Sequence, residues 1–350
     1  MWLDRLKSRL FPPTPLQAIL ANTLETWPAL APKVLILSGS KRNQNYYRDI
    51  ELARQTRALL VAEGHDFAAY DWDISRLCQD QMGGAPDWVF LNYIQSYTPQ
   101  LKGFEALGAP VLGFVGDHYN FLDQTPAALA KQTFFRSLPL AGMVTAYPHT
   151  SNAVAQAMGW KDLPFLHLPW AIDPTVFRDL ETKRRYDIAC MGALTEGKYP
   201  FRRQVRVWLE TQRELRLFGK KRVKGRGGSD HDGEAFNQAL NRVRSAFTCA
   251  SAMRYLLMKY FEIPGAGALM FAESIPDLEA LGFRDGEHFV AVTPENFSTL
   301  MRYYLTGAGQ EEGESIRRRG HDFVHQHHTW NRRIADFLPQ ANRLARPGTP

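Results

Sequence analysis

Cysteine is scarce: Cys78, Cys190 and Cys249 are the only three in 350 residues, and no two form a CxxC pair. That argues against a disulfide framework or a zinc site and fits a reducing cytoplasm. No apolar run approaches the roughly 20 residues a membrane-spanning helix needs. The N-terminus lacks the continuous apolar core of a secretory signal. Gly-x-Gly-x-x-Gly, the dinucleotide fingerprint, is missing, and no repeat has a solenoid period. The basic stretch Lys220 to Arg226 has no interleaved aromatics. It reads as a loop over a diphosphate or a solvated loop, and nucleic acid is not expected as a partner.

What the chain does have is length and a modest positive charge. Hydrophobic residues make up 45% and charged ones 22%, with a formal net charge of +6. The length suits two α/β domains. The excess charge suggests an anionic partner, a nucleoside diphosphate, an acidic membrane face or nucleic acid, and does not by itself choose among them. Trp2, Leu3, Leu6 and Leu10 fall near one face of an N-terminal helix, with Arg5, Lys7 and Arg9 near the other. Such a helix packs on its own domain or lies on an anionic membrane surface. The expected location is the cytoplasm, with a peripheral position at the inner face of the membrane left open.

Apolar segments alternate with helical patterns. Strands are expected at Lys33 to Ser40, Asp66 to Trp72, Asp87 to Asn92, Pro110 to Val115 and Ala141 to Ala146. A helix from Tyr47 to Glu63 would end at Gly64. After Leu166 to Phe177 and the charged stretch Glu181 to Arg185, the pattern restarts. Tyr186 to Gly192 is strand and turn, Phe201 to Leu209 helix, Glu214 to Gly219 strand, and Asp230 to Ala239 loop into helix. Alternation of this kind implies parallel βαβ units. The architecture read from it is α/β, with two Rossmann-like domains facing across a cleft. Residues 1–175 form the N-terminal domain. Residues 176–330 form the C-terminal domain, and 331–350 a helix crossing back to the first.

The segment from Lys259 to Glu273, Lys-Tyr-Phe-Glu-Ile-Pro-Gly-Ala-Gly-Ala-Leu-Met-Phe-Ala-Glu, carries the most information. It reads as a helix stopped by Pro264, a glycine turn and a buried strand ending on an acid. Glu262 would lie at the helix end and Glu273 at the carboxyl end of the strand, the edge where ligands bind in open α/β sheets. Gly265 and Gly267 would let backbone approach a ligand or a neighbouring strand. Pro276-Asp-Leu-Glu-Ala-Leu-Gly-Phe283 follows, and later His328-Thr-Trp330 with Arg332 and Arg333.

In their order and spacing these three pieces resemble the C-terminal domain of GT-B glycosyltransferases, most closely the spore-maturation (CgeB-like) group. The resemblance spans about Tyr255 to Trp330. It implies transfer of a sugar from a nucleotide-activated donor to a cell-surface glycan, a lipid-linked glycan or a protein, with retention at the anomeric carbon. The nucleotide sugar is then a co-substrate, and no cofactor or metal is required. The resemblance implies that Glu262 binds the nucleotide ribose, as a carboxylate able to accept both hydrogen bonds of a diol. Arg254 departs from the family pattern, standing where an acid normally contacts the donor sugar.

Lys198 and Arg202 follow a strand and turn, and GT-B enzymes keep a basic pair there. Cations at that place stabilise a departing diphosphate. Lys259 is a further candidate for the phosphates. Gly39 and Ser40 form the first strand-to-helix turn, which lines the cleft in such proteins. Asp117 and His118 end the fourth strand, where they could do acid/base work on an acceptor hydroxyl. A capping Asp and a surface His are the alternative. The cluster His321, His325, His327 and His328 reads as a helix end rather than a metal site. Two other readings stay open. One is a flavin- or nucleotide-binding oxidoreductase using the Ser38 to Asn43 loop. The other is a non-catalytic sugar-nucleotide-binding protein of the same fold.

Overall fold

The computed structural model describes residues 31–39, 45–62, 64–95, 97–219 and 233–345. The expected N-terminal helix, Ser40 and the basic loop from Lys220 to Arg226 lie outside the described residues.

Two parallel sheets form the framework. The first contains β1 (Lys33–Leu37), β2 (Arg57–Val61), β3 (Trp88–Asn92), β4 (Val111–Val115), β5 (Leu140–Thr145) and β6 (Phe165–His167), in the order β2-β1-β3-β4-β5-β6. The second contains β7 (Tyr186–Cys190), β8 (Leu217–Phe218), β9 (Val243–Thr248), β10 (Leu269–Ala272) and β11 (Val290–Ala291), in the order β11-β10-β9-β7-β8. β3 and β4 are buried along their whole length. That is why they read as unbroken apolar runs: helices cover both faces of such sheets.

In each sheet the first strand lies between the second and the third. Val34 of β1 pairs with Ala58 of β2 and Trp88 of β3. Ile188 of β7 pairs with Leu217 of β8 and Ser245 of β9. The connections therefore leave in opposite directions beside β1 and beside β7, opening a crevice at the carboxyl ends of those strands.

Several local expectations are corrected. The helix expected to reach Glu63 spans only Asn45–Arg54, and β2 follows directly. Thr56 marks the break by donating its hydroxyl to the Leu52 carbonyl at 2.7 Å. The expected strand at Asp66 to Trp72 is a 3-10 helix at Phe67–Tyr70. Asp71 and Trp72 have φ of 53° and 59°, which a strand does not allow. β9, the middle strand of the second sheet, had no counterpart in the sequence reading. Pro264 does not stop its helix, which runs Lys259–Gly265 and places Glu262 in the first turn rather than at the end.

The C-terminal helix, Trp330–Ala345, packs on the first sheet. Trp88 Nε1 donates to Asn342 Oδ1 at 3.0 Å, and Phe337 meets Phe90 edge-on. The chain thus crosses between the domains twice, and the crossings lie side by side. Ile172 N–H donates to the His328 carbonyl at 3.0 Å, and Trp330 N–H donates to the Ile172 carbonyl at 2.9 Å. No helix among the described residues is long and apolar enough to cross a membrane.

Candidate active site

The carboxyl ends of β4 and β5 face those of β7 and β9 across a cavity of about 360 Å³. That volume is in the range of ligand pockets. Asp117, Tyr147 and Trp170 line it from the first domain, and Gly192, Tyr199, Arg202 and Lys259 from the second.

Arg202 sits at the crevice of the second sheet. It lies in the helix Pro200–Thr211 that follows β7, and its side chain turns back to the strand ends. One terminal nitrogen donates to the Ala193 carbonyl beyond β7 at 3.2 Å, and the other to the Cys249 carbonyl beyond β9 at 3.4 Å. The guanidinium rests 4.1 Å from the Tyr199 ring centroid. No ion pair to Arg202 is present among the described residues. Its Nε, Thr248 Oγ1 and Ser251 Oγ have no hydrogen-bond partner there either. Buried polar groups are ordinarily paired, so this edge has hydrogen-bonding capacity left over.

Gly192 makes the approach feasible. Its φ is +112°, and a Cβ there would stand 3.1 Å from an Arg202 terminal nitrogen and 3.5 Å from Lys259 Cε. The two cationic side chains converge over a backbone without a side chain. Lys259 Nζ also lies 5.2 Å from the Phe236 ring.

The first sheet supplies an internal comparison. Arg48 lies in the helix after β1, as Arg202 does after β7, and is fully buried. Its Nε donates to Asp49 Oδ1 at 2.8 Å, and Ser38 Oγ donates to Asp49 Oδ2 at 2.5 Å. Desolvation holds Asp49 above the usual carboxylate range, and Arg48 opposes the shift. That guanidinium is neutralised by its neighbour. The one in the second domain has no such neighbour among the described residues.

Asp117 follows β4 and opens on the cavity. Burial by the cleft walls raises its carboxyl above the ordinary range, against the pull of Lys198, Lys131 and a Tyr119 hydrogen bond. Lys131 is wrapped by the Tyr93 and Phe121 rings, at 4.9 and 4.8 Å, and its burial lowers the ammonium to about 8.

Other candidates are placed elsewhere. His118 has no exposed surface, its Nε2 is 2.7 Å from Thr145 Oγ1, and its Nδ1 meets Thr150 Oγ1. Burial lowers it to about 4, so the ring is neutral and fully engaged, and it does not reach an acceptor. Lys198 is exposed, with Nζ 4.7 Å from the Tyr119 ring of the opposite domain, rather than beside Arg202. Gly265 and Gly267 admit protein, not ligand. A Cβ at Gly265 would meet Ile172 at 2.9 Å, and one at Gly267 would meet Asp179 at 2.6 Å. Gly39 is buried just beyond β1.

Glu273 does end β10, but Arg254 answers it. The guanidinium, carried by a residue with φ of 60°, donates to Glu273 Oε1 at 2.9 Å, while Oε2 accepts the Ala250 N–H at 3.2 Å. Desolvation raises the Glu273 carboxyl, and Arg254 opposes it. Glu262 is 2% exposed and lies three residues beyond Lys259, the last residue of the wall formed by Leu257, Met258 and Lys259. His321 and His325 face the carbonyls of Pro264 and Gly265, at 3.2 and 2.9 Å.

The sequence reading missed Tyr147, His149, Trp170, Tyr199 and Lys131. Tyr147 and His149 directly follow β5, so the strand-end rule that flagged Asp117 would have flagged them. Lys131 sits inside a helix, and its position beside Asp117 is purely tertiary.

Comparison with known proteins fits this geometry. Residues 177–339 match the family model described as glycosyl transferase-like. HepE of Anabaena, solved with UDP and glucose, superposes with a TM-score of 0.58 at 10% identity, over 88% of this chain and 100% of that one. The fold is GT-B. Sucrose-phosphate synthase of Thermosynechococcus elongatus gives 0.58 at 10% identity, covering 89% of this chain and 98% of that one. A glycosyltransferase of Rickettsia africae gives 0.55 at 8%, covering 90% and 99%. No curated protein matches the chain in sequence.

Proposed function

We propose that this GT-B protein is a glycosyltransferase that takes a sugar from a nucleoside diphosphate donor and passes it to a glycan, a glycolipid or a protein. The observation that carries the reading is the Arg202 guanidinium at the crevice of the second sheet, which has no carboxylate partner among the described residues, with Lys259 beside it. A buried cation without a carboxylate favours an anion strongly, because little water competes for it. UDP in the solved HepE complex is an anion of the same class.

The steps follow from the residues. The diphosphate binds Arg202 and Lys259, and Glu262 accepts the ribose hydroxyls. As the bond to the sugar breaks, charge gathers on the leaving phosphate, and the fixed cations stabilise it without reorganising. Asp117 faces them across the cavity and takes the proton of the acceptor hydroxyl. Closing the two domains excludes water from the donor. Lys259 and Arg202 perform the charge neutralisation that a divalent ion would otherwise supply. Retention and the spore-maturation (CgeB-like) affiliation are supported by the Lys259–Glu273 and Pro276–Phe283 motifs. The composition and cysteine usage support a cytoplasmic site of action.

Isothermal titration with UDP, GDP, TDP and CMP, followed by transfer assays with the matching sugars in EDTA, tests the reading. Binding of one nucleotide and metal-independent turnover are expected. Absence of binding to all of them, or turnover that is lost to EDTA and restored by magnesium, would refute it.

A further inference from the structure

We propose that His149, in its imidazolium form, is a positioning residue that latches the two domains together through the segment Met253 to Met258. This segment of the second domain reaches into the first. The Tyr255 ring stacks on Tyr147, with centroids 4.1 Å apart and planes at 10°, and its hydroxyl accepts the Tyr119 N–H at 3.2 Å. His149 closes the contact from the side. Its Nδ1 is 2.8 Å from Asp277 Oδ2, and its Nε2 is 3.1 Å from the Met253 carbonyl oxygen.

Both partners belong to the second domain, and both only accept. An ionised carboxylate and a peptide carbonyl have no proton to give. A neutral imidazole has one N–H, so it could satisfy one oxygen and would turn a lone pair on the other. Only the doubly protonated ring donates to both. The closed arrangement therefore takes up a proton, and raising the pH removes one of the bonds that hold it.

The segment leads straight into Leu257, Met258 and Lys259, which line the cavity. Releasing His149 frees the wall that carries Lys259. Other charged groups share the neighbourhood. His118 touches the same turn through Thr150, His167 senses Asp277 and, from the C-terminal helix, Arg333, and the Tyr255 ring lies 6.1 Å from His149. Desolvation lowers both His118, to about 4, and His167, and of the histidines around this segment it is His149 whose ring faces a carboxylate directly. The latch does not depend on which ligand the cleft takes.

Spin labels on Leu129→Cys and Val207→Cys report the separation of the domains. Both side chains are exposed, one on each domain, and the three native cysteines are buried. The inter-label distance is measured at about pH 6 and about pH 8.5, either side of the ordinary histidine range. A single short distance at the lower pH and a longer, broader distribution at the higher one are expected. His149→Arg, permanently charged and able to donate twice, should stay short at both. His149→Ala should be long at both. A wild-type distribution that ignores pH, or a pH response that survives in His149→Ala, would overturn the proposal. Because the readout needs no donor and no turnover, its failure is separable from failure of the glycosyltransferase reading.

Discussion

Arg48 and Arg202 occupy equivalent places in the two halves of the chain, and of the two only Arg48 has a carboxylate beside it among the described residues. Each lies in the helix after the first strand of its sheet. The pairing of Arg48 with Asp49 makes the first crevice electrically quiet. Among the described residues the second has no such partner, which is the basis for proposing it as a seat for an anion.

Arg202→Gln should therefore weaken nucleoside diphosphate binding by about tenfold to a hundredfold, the range for a hydrogen bond to a charged group. Arg48→Met should do the opposite: it strands Asp49, lowers stability by about 3–5 kcal/mol and leaves nucleotide affinity intact in the folded fraction. Calorimetric titration and urea melts of the two variants check both halves. Equal loss of affinity in both would show that Arg202 acts only through the fold.

For Glu262, replacement by Gln or Ala should cost about 1.5–3 kcal/mol of nucleotide binding, through loss of the charged acceptor for the ribose diol. Binding should fall equally for diphosphates with different bases. Wild-type affinity in folded Glu262→Gln would make the residue a structural one.

Asp117 offers a pH test. Desolvation raises its carboxyl above the ordinary aspartate value of 3.8, so the base form is lost as pH falls through a correspondingly higher point. The acidic limb of kcat/KM should lie above the usual aspartate range. Lys131→Gln removes a cation that favours the carboxylate and should move the limb further up, whereas Lys131→Arg should leave it near the wild-type position. A limb that does not respond to Lys131→Gln would assign the proton transfer elsewhere.

His118 bears on stability instead. Its folded value is about 4, against 6.5 for an ordinary histidine. Between those pH values the unfolded chain binds a proton that the folded chain refuses, so stability declines as pH falls through that window. The loss reaches about 3 kcal/mol by its acid end. His118→Asn should flatten the difference between urea melts at about pH 7 and about pH 4.5. An unchanged difference would place the acid sensitivity in other groups, such as His328.

Much of this was legible in the chain. The buried strands β1, β3, β4 and β5 announce themselves as apolar runs bounded by turns, and β7 and β10 do the same in the second half. β2 was hidden because Gln55 and Thr56 separate it from its helix with no glycine or proline. β9 was hidden because Arg244 and Ser245 interrupt it; Ser245 is accommodated by donating its hydroxyl to the Asp187 carbonyl at 2.8 Å. The site was half legible. Asp117 follows from the strand-end rule, Arg202 from the basic pair expected after a strand and turn, and Lys259 from its place three residues before Glu262, and the three come together around one cavity. His118 obeys the same rule and is nonetheless turned inward, since sequence position fixes the edge but not the rotamer. Tyr147, Tyr255 and Lys131 meet their partners only through tertiary packing, which no local pattern encodes.

The paired crossings at Ile172 and His328 to Trp330 make the second domain an insertion within the first. On the ribosome, the first domain must wait for the last helix, Trp330–Ala345, before Trp88 and Phe90 are covered. The second domain, all of whose strands are made by then, can fold before it. Synthesis order and completion order are thus reversed, and a chain cut short near its end would leave a finished second domain attached to a first domain with its sheet laid bare.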